Sequence, residues 1–192
     1  MREIIKMIVV LSCICGVAGL ALAFLKDGTV LRIEEQVLTY VQGPALKKVF
    51  TDYDNDPIMD RKKFDLPGSD AKVTVFPFMK NGKLVAIALE DYGGGFGGDV
   101  GVMVGIDATE DKLVGIGITT MKETPGVGSR VAEPGFTKQF RGHPITGVEL
   151  ESKGGDIAAV SGATFSSTGS VIAVQNAIKT YGMLKEKIQG AW

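Results

Sequence analysis

The chain changes its hydrophobic period along its length. From Met7 to Leu25 it is apolar and uncharged without a break, bounded by Arg2 and Lys6 before and Lys26-Asp27 after. A run of about 19 such residues is long enough to cross hydrocarbon, so one transmembrane helix is predicted. From Thr29 to Gln42, Val30, Ile33, Val37, Leu38 and Val41 recur at helical spacing with Arg32, Glu34 and Glu35 between them. This predicts a membrane-proximal helix that Gly43-Pro44 ends. Thr51 to Ser69 is polar and turn-rich.

Beyond Lys72 the period falls to two. Val73 to Met79 and Leu84 to Glu90 read as strands joined by Lys80-Asn81-Gly82-Lys83, where Asn-Gly suits a type I′ hairpin. In the next two strands Val100, Val102, Val104 and Ile106 alternate with Gly101, Met103 and Gly105, and Val114, Ile116 and Ile118 alternate with Gly115 and Gly117. One face is β-branched and the other nearly bare, which predicts a sheet face closely covered by a helix, with a flat cofactor-binding face as the alternative. Pro134 to Gly142 carries Phe136 and Phe140 on one side of a short helix. Val171, Val174, Ile178, Tyr181, Leu184 and Ile188 give the closing segment one apolar helical stripe. The fold class is therefore α+β: a single N-terminal transmembrane helix, then one domain of mainly antiparallel sheet with packed helices. The expected boundaries are a cytoplasmic N-terminus at 1–6, the spanning helix at 7–25, a membrane-proximal helix and connector at 26–68, and the folded domain at 69–192.

Composition narrows the function. With 192 residues and 45% hydrophobic content there is material for one globular core besides the membrane segment. A net charge of −1, with no basic cluster beyond Arg61-Lys62-Lys63, excludes a nucleic-acid footprint. Arg2 and Lys6 on the short flank put the N-terminus in the cytoplasm and the domain outside. A cleaved signal ending at Ala21-Leu22-Ala23 is the alternative to the anchor, and Val10-Leu11-Ser12-Cys13 only faintly resembles a lipoprotein box, since the apolar run continues past it. Both cysteines, Cys13 and Cys15, lie in that run, so the domain can form no disulfide or thiolate metal site. Ser12, Gly16, Gly19 and Ala23 offer small residues for contact with another membrane helix.

Several segments invite chemistry. Asp52, Asp54 and Asp56 have EF-hand spacing, but Pro57 and Lys63 stand where the loop needs Gly and Glu, so no calcium or other metal site is expected. Tyr92 to Gly98 is glycine-rich but runs from strand to strand, unlike phosphate cradles that open a helix. Lys122-Glu123-Thr124-Pro125-Gly126-Val127-Gly128 follows a strand, with a turn fixed by Pro125-Gly126 and close backbone approach permitted at Gly128. Ser161-Gly162-Ala163-Thr164 then precedes the last helix. Free N–H groups and a partial positive charge at a helix start would stabilise an anionic phosphoryl group there without Lys or Arg. With Ser166 or Ser167 as N-cap, Thr164 falls just outside the first turn, and Ser166, Ser167 and Thr168 compete with it as attachment sites. A serine hydrolase built on Ser161 lacks G-x-S-x-G and has only His143, expected to be a surface loop residue.

Together, S-G-A-T at 161–164, E-T-P-G-V-G at 123–128 and the glycine-rich Tyr92–Gly98 stretch resemble, in their order, the covalent-FMN subunits of the Rnf and sodium-pumping NADH:quinone reductase complexes. The resemblance extends from the membrane helix to the terminal helix. It implies an FMN-binding domain with FMN joined by a phosphodiester to Thr164, installed by a separate flavin transferase using FAD. Ser161, Gly162, Ala163, Ser166 and Ser167 would surround the attachment point. Glu123, Thr124, Gly126 and Val127 would contact the ring, with Tyr92 nearby. It further implies the G-type member of an Rnf-type ferredoxin:NAD oxidoreductase coupled to ion transport, relaying electrons among other membrane subunits on the outer face of the cytoplasmic (inner) membrane, with no catalytic side chain of its own. The C-type member of the sodium-pumping reductase is the alternative, usually a longer chain; an exported, non-catalytic binding module is another. One departure stands out: the family's acidic residue three positions before the motif's Ser is here Ala158, and the nearest acid is Asp156.

Overall fold

The computed structural model describes residues 1–192 and divides by its contacts into Met1–Tyr40 and Val41–Trp192. The first unit is a helix, α1 (Arg2–Gln36), without a buried residue. Its apolar side chains point outward on all sides, as in a helix whose solvent is lipid. It is long and apolar enough to cross a membrane.

The helical run does not pause at Lys26-Asp27, nor does Gly43-Pro44 stop it. It continues through π-helical turns at Val37–Gln42 into α2 (Gly43–Val49). The reason lies at Pro44, which has no N–H and whose ring collides with the carbonyl four residues back in a regular helix. The wider turns ahead of Pro44 remove that collision, and Pro44 sits at the start of α2, where a missing N–H costs nothing.

The second unit holds a five-stranded antiparallel meander in sequential order: β1 (Lys62–Asp65), β2 (Lys72–Lys80), β3 (Lys83–Gly94), β4 (Asp99–Asp107) and β5 (Leu113–Thr120). Asn81 and Gly82 both take positive φ, 51° and 72°, as the Asn-Gly hairpin requires. β1 lies in the segment that reads as connector. It is a short charged edge strand, the kind that protects a sheet margin, and only Phe64 turns inward, 5.8 Å from the Trp192 ring. β3 runs four residues past Glu90, pairing Tyr92 with Gly101 and Gly94 with Asp99, so half of the expected glycine loop is strand.

A helix covers each face of the sheet. The bare face takes α2: a Cβ added at Gly105, Gly115 or Gly117 would lie 2.2–2.8 Å from Val49 or Ala45. The β-branched face, Val100, Val102, Val104 and Ile106, packs in the main core under α4 (Thr164–Gln189). Of the predicted stripe, Val171, Val174, Tyr181, Leu184 and Ile188 are buried, while Ile178 is half-buried and Ala177 fills the seam. Phe136, in the short α3 (Pro134–Thr137), and Phe140 just beyond it close the core, their rings 5.4 Å apart. Near its N-terminus α4 crosses β3 backbone to backbone. A Cβ on Gly93 would lie 2.1 Å from the Gly169 carbonyl oxygen, and one on Gly169 would lie 2.7 Å from that of Gly94.

This crossing yields a paired test. Gly93→Ala is expected to lower unfolding free energy by about 1–3 kcal/mol in urea titrations, because helix and strand must separate. Gly94→Ala, whose new methyl meets nothing within 4 Å, is expected to stay within about 0.5 kcal/mol of wild type.

Candidate functional site

Three segments remote in sequence meet where β3 and β5 leave the sheet. The first is the loop Gly95–Gly98, closed by Gly95 N–H donating to the Gly98 carbonyl at 2.9 Å. The second follows β5: Thr124 to Val127 form a turn in which Val127 N–H donates to the Thr124 carbonyl at 3.2 Å and Gly126 takes φ +73°, the conformation a Pro-Gly turn of type II needs. The third repeats this geometry. Ala163 N–H donates to the Val160 carbonyl at 2.9 Å with Gly162 at φ +78°, and α4 begins at the next residue.

A buried carboxylate ties all three together. Glu123, 8% exposed, accepts the backbone N–H groups of Phe96 and Gly97 on one oxygen, at 2.9 and 3.1 Å, and the Ser166 hydroxyl on the other, at 2.5 Å. Its charge is compensated inside the protein by donors from the other two segments. Expected as a contact to the ring, Glu123 lines the pocket but spends its oxygens on the protein.

The pocket these segments enclose measures about 280 Å³. The Pro-Gly turn supplies Glu123, Thr124, Val127 and Gly128, the helix start supplies Gly162 to Ser166, and Phe96 stands over the mouth. The structure thus gathers Gly162, Ala163, Thr164, Ser166, Glu123, Thr124 and Val127. Four sequence candidates fall outside its lining. Gly126 shapes the turn behind it, Ser161 opens onto a neighbouring cleft of about 230 Å³ with Ala158, and Ser167 is fully buried. Tyr92 lies on β3, half exposed, its hydroxyl held up to about pKa 12 by burial and then by the charge and hydrogen bond of Glu90. Phe96 and Phe165 were absent from the sequence candidates, since nothing in a Gly-Phe-Gly or Thr-Phe-Ser string says which way a ring faces.

The helix start also differs from expectation. Thr164 is the first residue of α4, not an outlier before it, and neither Ser166 nor Ser167 is the N-cap; Ala163 holds that position without a side-chain bond. Both serine hydroxyls are drawn inward instead. Ser166 donates to Glu123, while Ser167 donates to the Ala163 carbonyl and accepts the Val160 N–H, bracing the preceding turn so that the helix opens earlier. This separates the competing hydroxyls: Ser166 and Ser167 are buried and bonded, whereas Thr164 is exposed and its hydroxyl bonds no protein group. Beside it the N–H groups of Thr164, Phe165 and Ser166 have no partner within the chain. No Lys or Arg lines the pocket, so an anion there would be met by peptide dipoles alone.

Asp156, the acid nearest to Ala158, keeps its side chain largely exposed. Its carboxylate bonds His143 Nε2 at 2.7 Å, and Gln139 holds both backbone groups of Ala158. His143, expected on the surface, is 8% exposed, with its other ring nitrogen against the Pro144 carbonyl, so neither nitrogen is free for Ser161.

Residues 95–179 match the FMN-binding domain family. Across 92% of this chain and 94% of its relative, the sequence is 27% identical to the G-type member of the ion-translocating oxidoreductase complex of Methanosarcina acetivorans. It is 24% identical to the G-type member of the proton-translocating ferredoxin:NAD(+) oxidoreductase complex of Clostridium ljungdahlii, over 73% of this chain and 78% of that one. In fold it resembles the C-type member of the Na(+)-translocating NADH-quinone reductase of Parabacteroides distasonis, with a TM-score of 0.54 and 21% identity over 69% of this chain and 71% of that one.

Removing the Glu123 carboxylate would orphan two N–H groups and one hydroxyl, each costing about 1–3 kcal/mol when buried. Glu123→Ala is therefore expected to lower unfolding free energy by about 2–4 kcal/mol in denaturant titrations. Glu123→Gln, which keeps one acceptor oxygen, is expected to fall between that variant and wild type.

Proposed function

We propose that this chain, which carries an FMN-binding domain at residues 95–179, is the G-type member of an Rnf-type ion-translocating oxidoreductase and bears FMN as a phosphodiester on Thr164. The observation that carries this reading is the segregation of hydroxyls at the start of α4. Thr164 alone is both exposed and in the pocket, while the serines after it are buried and bonded. The names of the relatives support the type of complex.

The residues suit FMN at both ends. The unpartnered N–H groups of Thr164, Phe165 and Ser166 match a phosphodiester that keeps one negative charge, and the apolar surfaces of Val127, Phe96 and Phe165 match a flat heteroaromatic ring. When bound, the flavin supplies the redox chemistry. The protein's part is to bind and orient: Glu123 fixes the Phe96 loop and the first turn of α4, and Gly162, at φ +78°, makes the turn that leads into the helix start. A pocket of this size leaves part of the group open to neighbouring subunits, as electron relay requires. In this reading α1 anchors the chain in the cytoplasmic membrane with its N-terminus inside, because Arg2 and Lys6 flank the apolar run. The domain then faces outward, where a flavin transferase finds Thr164 accessible and a covalent bond prevents loss of the cofactor.

The test is flavin fluorescence on a denaturing gel after expression with a flavin transferase. Wild type is expected to fluoresce and to gain the mass of FMN less one water, AMP being the group released from FAD, and Thr164→Val is expected to do neither. Fluorescence retained in Thr164→Val would move the attachment elsewhere.

A further inference from the structure

Two phenylalanines at the mouth of the pocket have no packing role that accounts for them. Phe96 is 72% exposed and Phe165 is 69% exposed, yet their ring centroids lie 6.3 Å apart at an interplanar angle of 49°. They come from segments 69 positions apart, the glycine loop and the first turn of α4. Their main chains are anchored while their rings are free. Phe96 N–H is held by Glu123, and Phe165 follows Thr164 within a helix whose next residue is bonded to the same carboxylate. Val127, 41% exposed, gives the wedge an apolar floor.

Leaving this much aromatic surface in water is unfavourable, and covering it with a planar ring recovers the burial. We propose that Phe96 and Phe165 form an aromatic clamp that grips the ring of the flavin and sets its orientation, a role that rests on the attachment at Thr164 argued above. The placement favours this occupant over a protein partner. Both rings line the same pocket as Thr164, and Phe165 is its immediate neighbour, so a planar group tethered there meets the wedge before any other apolar surface. They are positioning residues: they hold the ring and carry none of its electrons.

The experiment uses the full chain, flavinylated by coexpression with a flavin transferase and purified in detergent, as wild type, Phe96→Leu, Phe165→Leu and the double variant. Leucine keeps the exposed position apolar and preserves folding, which far-ultraviolet circular dichroism checks. Covalent flavin per chain is expected to equal wild type in all four. Flavin anisotropy is expected to fall, and quenching by iodide to rise by about 2- to 10-fold per ring lost, from the usual strength of an aromatic pair. Equal loading with unchanged anisotropy and quenching would overturn the clamp while leaving the attachment intact. Wild type without covalent flavin would instead overturn the attachment. The clamp would then be judged by titrating free FMN into the same four proteins, where equal affinities overturn it.

Discussion

The site depends on a contact without side chains. At Gly93 and Gly169 the last helix and the third strand touch main chain to main chain, close enough that a single methyl on either would strike a carbonyl oxygen. A helix held at ordinary side-chain distance would begin several ångströms from the sheet, and its first turn would reach neither the glycine loop nor the turn after β5. Because the crossing is this close, Ser166 comes within 2.5 Å of Glu123, and that carboxylate can fasten all three segments. The carboxylate in turn is tolerable in the interior only because those segments deliver three donors to it. Packing and polar satisfaction are thus mutually dependent here, which makes the pocket rigid in its main chain and free only in its rims.

Much of the fold was legible because local rules and the global answer agree. Asn81-Gly82 specified a hairpin, the Val-Gly alternation specified a sheet with one bare face, and the stripe from Val171 to Ile188 specified the cover of the other, β-branched face. The misreadings occurred where one local signal was outweighed by its context. Pro44 ordinarily ends a helix, but the wider winding of Val37–Gln42 absorbs it, and no residue type announces a π turn. Lys62 to Asp65 lacks strand composition because an edge strand needs charge more than propensity. Tyr92-Gly93-Gly94 reads as loop, since glycine in a strand has no side chain to advertise burial, yet here glycine is what lets the helix in.

For the site, residue types carried the location but not the direction. The turns at Pro125-Gly126 and Gly162 could be read directly, because each needs a left-handed glycine that few other residues supply. Which of the four hydroxyls between Thr164 and Thr168 turn inward could not, since Ser166 is drawn by a carboxylate 43 positions away and Ser167 by the turn before the helix. The N-cap rule favoured Ser166 or Ser167, and tertiary hydrogen bonds overrode it by taking both hydroxyls. Glu123 was legible as a site residue only by resemblance, and the geometry adds that it holds the wall of the pocket through bonds to the other two segments. The surroundings of Ala158 were equally illegible: Gln139 occupies both of its backbone groups, and Asp156 bonds His143.

The tether proposed at Thr164 would also explain why so modest a cavity suffices. Pockets that retain drug-sized molecules by contact alone generally enclose roughly 300–1,000 Å³ and bury most of the ligand, because contact must outweigh lost translational and rotational freedom. Here the enclosed volume is about 280 Å³, the walls carry no cation, and two rings at the rim stand largely in water. As a site for a freely diffusing nucleotide this would be weak. With a phosphate bonded to Thr164, as proposed, that freedom would already be gone, and docking the ring would be an intramolecular event at high effective concentration. Weak, shallow contacts then order the ring while leaving an edge uncovered. A deeper pocket would hold the flavin better and conduct worse, since it would wall off the face through which electrons must leave. On the proposed reading, the shallow pocket and the covalent bond would be one solution: retention would be delegated to chemistry so that the protein could keep its cofactor exposed.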